Sequence, residues 1–441
     1  MSRLPRAVPA RASAVLRAQV RDPLYLQSHL LLAGTAIAAV TGFAFWILAA
    51  RLTDATTVGR AAGLISAVSL VSYLTSLGLP YGILRFGGAT KGFSSMVNLA
   101  LLVSAATSVL ASVLFVVGAG WWAPALEGVL ASAAALLFFA AANVAAALST
   151  LLDNLFAARR AAQIALVRNA ASGLGKLALV VALAGEGALG LFWAGMAPVI
   201  VASVVVVALL PRLQRDYRPR ELELSAPVRD FASFSLRNYP AALFGGAPPF
   251  FLPLIALAVT DPRQTAFFYV AWSLVGVLLV LPTVVSHISL SEGARHLPWD
   301  IALRGRTFAL VMITPAVAGL LLLAGPLLSI FGPGYPEGAT DALRLLALSL
   351  FPWTFMSLSL AGLRGESRYR ELTLATAVFG VLSLAGPIGL GLAFGLDGIA
   401  AGWTLGVLLA TLIIEFRVRE LRSSGREPLL GTPEDVAPIV P

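Results

Sequence analysis

Twelve separate stretches, each about as long as a bilayer is thick and nearly free of charge, leave this 441-residue chain only one environment in which to fold. A spanning helix needs about 20 mostly apolar residues. Such stretches occur at 30–50, 61–80, 95–117, 129–152, 164–184, 189–210, 234–259, 265–290, 308–330, 342–362, 372–394 and 398–416. The composition, 58% hydrophobic and 12% charged, lies outside the range of water-soluble domains. Strands of a membrane barrel are about 10 residues long and alternate in polarity, which these stretches do not. The expectation is an all-α integral membrane protein with twelve transmembrane helices.

Lys and Arg in short loops accumulate on the cytoplasmic side of a membrane. With the N-terminus inside, 25 of the 31 basic residues fall on cytoplasmic segments and only Arg51, Arg60 and Arg263 on the opposite side. Adding or losing one helix would invert every later loop, so the asymmetry supports twelve spans with both termini cytoplasmic, in the cell membrane. The first 27 residues are Arg-rich and lack a cleavage site after a short apolar core, so the first helix is expected to be an uncleaved anchor. The net charge of +9 is thereby spread over loops and implies no nucleic-acid partner. Cysteine is absent, which excludes disulfides and thiolate metal sites.

Domain organisation follows from the loops. A basic segment (1–27) precedes an N-lobe (28–210), a connector of mixed charge (211–230), a C-lobe (231–416) and a tail (417–441). The halves echo each other: Leu52-Thr53-Asp54 recurs as Val259-Thr260-Asp261, Gly118, Gly120 and Trp121 as Gly332, Gly334 and Tyr335, and Glu186-Gly187 as Asp397-Gly398. Together these suggest two six-helix lobes in a parallel internal repeat with a central cavity between them.

A family resemblance rests on Ile47-Leu48-Ala49-Ala50-Arg51-Leu52, Val58-Gly59, Leu77-Gly78-Leu79-Pro80 and Leu84-Arg85-Phe86. It extends to Asn238-Tyr239-Pro240 and to the run from Leu327 through Phe331-Gly332 to Tyr335. These resemble the polysaccharide flippases of the multidrug, oligosaccharidyl-lipid and polysaccharide (MOP) exporter superfamily. The resemblance implies a transporter, not an enzyme, that flips an isoprenoid-diphosphate-linked oligosaccharide to the outer leaflet by alternating access, for cell-surface polysaccharide assembly. It implies an anionic lipid-linked glycan as substrate, polysaccharide polymerase or export machinery as partners, and no cofactor.

Read by themselves, the residues point to anion binding. On the fifth stretch Ala165, Arg168 with Asn169, Ser172 and Lys176 recur every three or four residues, on one helix face. Lys176 lies about 12 Å deeper than Arg168 at 1.5 Å per residue, and a cation at that depth is a functional candidate. Such a ladder would receive a diphosphate; the structural alternative has Arg168 reaching lipid phosphate and Lys176 bonding carbonyls near Gly173 and Gly175. The seventh stretch is broken by Pro240, Gly245-Gly246, Pro248-Pro249 and Pro253, and Arg237 and Asn238 before the break are candidates for phosphate and sugar contacts. Alternatively its prolines only curve the helix around its neighbours. Lys176 and Arg237 are expected to share the central cavity. Arg85 fits a cationic entrance or a simple positive-inside anchor, and Arg344 fits an i, i+3 ion pair with Asp341.

Other motifs fail. Around Lys176 a phosphate-binding loop would need glycine at Ala170 and Ser or Thr at Leu177. His29, His287 and His296 lack zinc spacing. A cation-coupled multidrug exporter of the same superfamily is the alternative function, although no stretch carries an acid in its interior. A glycosyltransferase or ligase would need acid, base or metal groups on outer loops, which are short here. The topology predicts that an impermeant thiol reagent labels a cysteine at Thr56, but not one at Ser225, from outside intact cells; the reverse pattern would invert the arrangement.

Overall fold

The computed structural model describes residues 23–88, 91–293, 298–365 and 368–423, and no strand occurs among them. Inside a bilayer every backbone amide must be bonded within the protein, which leaves helices as the solution for apolar stretches of this length. The N-terminal half contains α1 (Pro23–Leu52), α2 (Ala55–Leu74), α3 (Leu79–Phe86), α4 (Phe93–Val117), the short α5 (Ala119–Trp122) and α6 (Pro124–Glu127), then α7 (Ala133–Ala158), α8 (Ala162–Leu183) and α9 (Gly187–Leu213). The C-terminal half contains α10 (Ala226–Gly246), α11 (Pro248–Val259), α12 (Pro262–Gly293), α13 (Pro298–Leu322), α14 (Ala324–Ser329), α15 (Tyr335–Leu348), α16 (Leu350–Gly365) and α17 (Tyr369–Ser423).

These make twelve helical passes among the described residues. The second pass is α2 with α3, the seventh α10 with α11, the tenth α15 with α16, and α17 is a hairpin that reverses at Gly395, where φ is 61°. Its two arms touch closely: a Cβ on Gly402 would lie 2.3 Å from the backbone of Gly386.

The internal repeat is visible at its turns. Asp54 Oδ1 accepts from the Thr57 amide (3.0 Å) and Asp261 Oδ1 from the Gln264 amide (2.9 Å), each capping the helix that follows. Thr53 and Thr260 donate through their hydroxyls to Ala49 and Ala256 carbonyls, at 2.8 and 2.7 Å. The Thr57 hydroxyl, then its amide, holds the Asp54 carboxyl below the usual carboxylate range. The later echo diverges: the turn residue with positive φ is Gly187 in one half, but Gly395 rather than Gly398 in the other.

The connector is folded onto the N-terminal half. Ser94 and Ser95 hydroxyls accept the amides of Arg218 and Glu223, Asn98 donates to Arg218 and Glu221 carbonyls, and Arg159 pairs with Asp216 at 2.6 Å. Tyr217 is buried there, which pushes its phenol up.

The halves meet tightly at the Arg-poor end. A Cβ on Gly59 would sit 1.6 Å from the Pro262 carbonyl oxygen, so α2 and α12 touch backbone to backbone. Trp46 packs on Tyr269 at 4.6 Å between ring centroids, and Arg51 donates from Nε to Ile330 O (2.8 Å) and from Nη2 to Ser329 O (3.0 Å). The largest apolar cluster crosses this boundary, joining Phe45, Trp46 and Val58 to Phe268, Trp272, Phe331 and Trp403.

A second seam runs toward the Arg-rich end. Leu77 and Gly78 break the second pass with φ of 48° and 72°, and a Cβ on Gly78 would lie 2.2 Å from Ser235 O. Here α3 nests against α10. The seventh pass bends by 49° between α10 and α11, where Gly246 makes room for the Tyr73 ring. The bend falls within the proline-rich run, between Pro240 and Pro253.

Gly402→Val forces apart helices already in backbone contact, and overpacking of this kind costs about 1–3 kcal/mol. A clear drop in the melting temperature of the purified protein is expected; an unchanged one would show that the hairpin arms can separate freely.

Candidate functional site

Arg168 is not a free cation. Its side chain is 4% exposed and donates to Asp153 Oδ2 (2.8 Å), Ser149 O (2.9 Å) and Asn169 Oδ1 (3.0 Å). Asn169 is thereby a partner of Arg168, and the Ser172 hydroxyl donates to the Asn169 carbonyl at 3.1 Å. These interactions satisfy the lower rungs of the expected ladder within the protein. Neither lipid phosphate nor a substrate is required to neutralise Arg168, because α7 brings Asp153 to it.

Lys176 is different. Gly173 meets Thr41 of α1, Gly175 meets Pro198 of α9, and Arg168 reaches α7. At about 100° per residue Lys176 falls between these contacts, while Val167, Leu174 and Val181 on the opposite face are exposed like lipid-facing residues. Lys176 therefore points into the interior of the N-terminal half. It is half-buried and has no hydrogen bond or ion pair with any described residue. Carbonyls near Gly173 and Gly175 do not receive it.

Arg237 does not join Lys176, contrary to the expectation of a shared cavity. Ser235 and Tyr239 face Gly78 and Leu74 near the Arg-rich end, whereas Lys176 is level with Pro198, close to Gly195 and its contact Ile65. On α2, Gly63 next to Ile65 packs on Leu257. Even Leu254 stands 17 residues beyond Arg237, about 25 Å at 1.5 Å per residue. The two cations lie at different depths. Arg237 is exposed on the α10 face that carries Phe244, and Asn238 donates to Phe234 O of its own helix at 2.8 Å. Arg85 is exposed on α3 with its guanidinium 4.5 Å from the Phe234 ring centroid, a cation–π contact between the halves. Arg344 pairs with Asp341 at 3.7 Å, the helix-end pair that its spacing indicates.

Helix interiors are not free of acids, a second correction. Asp153 sits in the last turns of α7, and Glu415 in the second arm of α17 accepts from Arg306 (2.6 Å) and from Ser359. Both carboxylates are held by an arginine from another helix. Sequence reading missed them because each lies at the end of an apolar stretch, where only tertiary contacts show burial. Among the described residues no group of acids and histidines could hold a metal ion.

No protein-family model matches the chain, and the search of curated proteins finds no match. Among solved structures the likeness is long and the identity low. The inward-facing conformation of a multidrug resistance MATE family transporter of the MOP superfamily aligns with a TM-score of 0.69 at 16% identity, covering 90% of this chain and 100% of that one. An outward-facing conformation of such a transporter gives 0.62 at 17%, covering 92% and 97%. A MATE structure in the straight conformation gives 0.59 at 18%, covering 92% and 98%. The chain thus has the two-lobe, all-α fold of these membrane transporters.

Asp153→Ala should destabilise the fold by about 1–3 kcal/mol, less than a fully buried pair because Asp153 keeps 38% of its side-chain surface exposed. Replacing both partners by apolar residues should recover part of that loss in a thermal-unfolding comparison. A harmless Asp153→Ala would mean that Arg168 needs no counterion.

Proposed function

We propose that this protein is an alternating-access exporter of the cell membrane, with both termini in the cytoplasm. The fold likeness to multidrug MATE transporters supports the small-molecule exporter reading better than the flipping of a lipid-linked oligosaccharide. The lobe boundary carries close contacts toward both ends, Gly59 with Pro262 and Gly78 with Ser235, and alternating access would require these to open in turn.

The cargo we propose is an amphipathic molecule carrying negative charge. Lys176 supports this: a cation inside the N-terminal lobe without a carboxylate partner among the described residues. Burying an uncompensated charge is unfavourable, and an anionic cargo group would supply the missing partner. Asp153 and Glu415, the acids that proton or sodium coupling could use, are each already bound to an arginine. A second reading, transport of an isoprenoid-diphosphate-linked glycan toward polymerase or export machinery, draws on the sequence resemblance and shares the requirement for an anion site.

In reconstituted vesicles, the protein should move an anionic amphiphilic dye, and Lys176→Met should slow it by about tenfold or more, the loss of one charge-assisted contact. Faster transport of a matched cationic dye, unaffected by Lys176→Met, would refute the anionic cargo. Rescue of a glycan-export defect by the wild type but not by Lys176→Met would select the glycan reading.

A further inference from the structure

The two ends of the lobe boundary are fastened by different chemistry. At the Arg-poor end the last turn of α1 presents Arg51, whose exposed guanidinium donates to the Ile330 and Ser329 carbonyls at 2.8 and 3.0 Å. These carbonyls close α14, and the last C=O groups of a helix lack partners within it. Phe43 of α1 sets its ring edge to face against Phe331 of the same turn, 5.2 Å between centroids. Among the described residues no carboxylate pairs with Arg51.

The seam toward the Arg-rich end uses neutral groups and is reciprocal. Tyr73 of α2 donates to Ala242 O of α10 at 2.8 Å, and Tyr239 of α10 donates back to Leu74 O at 2.5 Å. Leu74 is the last residue of α2, ahead of the break at Leu77 and Gly78, and Ala242 lies shortly before the bend at Ala247. Each phenol therefore covers a carbonyl next to the break in the other lobe's helix. Phe250 of α11 packs on the Tyr73 ring at 5.1 Å, which holds the phenol in place. Separating the lobes has different consequences at the two ends. Arg51 is exposed and returns to water, which offsets much of the lost bonding. The phenols are half-buried, and parting them leaves hydroxyls and carbonyls that only entering water can satisfy.

We infer that Arg51 is the latch at the Arg-poor end, that Tyr73 with Tyr239 is the latch at the Arg-rich end, and that their opposed strengths set the side to which the carrier opens. The inference rests on the alternating-access reading. Each latch joins one lobe to the other, so losing it favours the arrangement open at its own end and leaves the opposite end closed. The populations then shift by the stabilisation that was lost. Both latches use backbone carbonyls as acceptors, so neither depends on a carboxylate or on the charge of the cargo.

The chain has no cysteine, so spin labels can be placed without background. Leu52→Cys with Gln264→Cys reports the Arg-poor end and Leu84→Cys with Leu236→Cys the Arg-rich end, all four positions being exposed. Distances are read on the full chain in lipid nanodiscs. Arg51→Gln should raise the long-distance fraction of the first pair by about threefold or more without lengthening the second. Arg51→Lys should fall between, because it keeps the charge without the fork. Tyr73→Phe combined with Tyr239→Phe keeps both rings and should do the reverse, lengthening the second pair alone. Melting temperatures identify the variants that fold. Lengthening of both pairs together in one folded variant would mean general loosening and would overturn the opposed latches. If the wild type moves the dye in vesicles while folded Arg51→Gln and the tyrosine variant keep wild-type distances, the latches fall and alternating access stands. If the wild type moves no dye and holds one fixed distance at each end, both fall.

Discussion

The backbone of a chain inside a bilayer must satisfy its own hydrogen bonds, and every other feature of this protein is arranged around that demand. Continuous helices meet it alone. Interrupted ones meet it only where a neighbouring helix covers the break. The second pass breaks at Leu77 and Gly78 where α10 lies against it, and the seventh bends at Ala247 where Tyr73 fills the gap left by Gly246. Each break faces the other lobe, so the two irregular helices form the hinge-like seam between halves.

Polar side chains then divide by whether the fold supplies a partner. Arg168, Arg306 and Arg51 are held by Asp153, by Glu415 with Ser359, and by the Ser329 and Ile330 carbonyls. The first two pairs fix helices within a lobe. Arg51 ties the lobes together at the Arg-poor end, beside the backbone contact of Gly59 with Pro262, and carbonyl acceptors make that tie reversible without stranding a buried carboxylate. Lys176, inside a lobe, has no such partner among the described residues. On the anionic-cargo reading proposed above, the satisfied charges hold each lobe rigid and Lys176 is the one that a passing anion completes.

Fold likeness and site chemistry bear on different questions. The likeness to multidrug MATE structures extends over most of the chain at 16–18% identity and concerns architecture. Charge selectivity resides in individual side chains that such identity leaves free to differ. An architecture like that of multidrug exporters and a cationic interior are therefore compatible.

Helix number, order and the parallel repeat were legible in the sequence because they depend on local properties: apolar run length, loop charge, and capping turns such as Thr53-Asp54 and Thr260-Asp261. Lys176 stood out in the sequence as a cation deep in an apolar run, recurring with Ala165, Arg168, Asn169 and Ser172. Pairing was not legible. Arg168 and Asp153 are 15 residues apart, and Arg306 and Glu415 are 109 apart. Nothing local signals that a residue at the end of an apolar run will be matched from another helix. Depth was equally hidden for Arg237, because the close helix approaches at Gly63, Gly78 and Gly195 set the vertical offset between passes. Only tertiary packing, which decides which helices touch and at what height, separated Lys176 from Arg237.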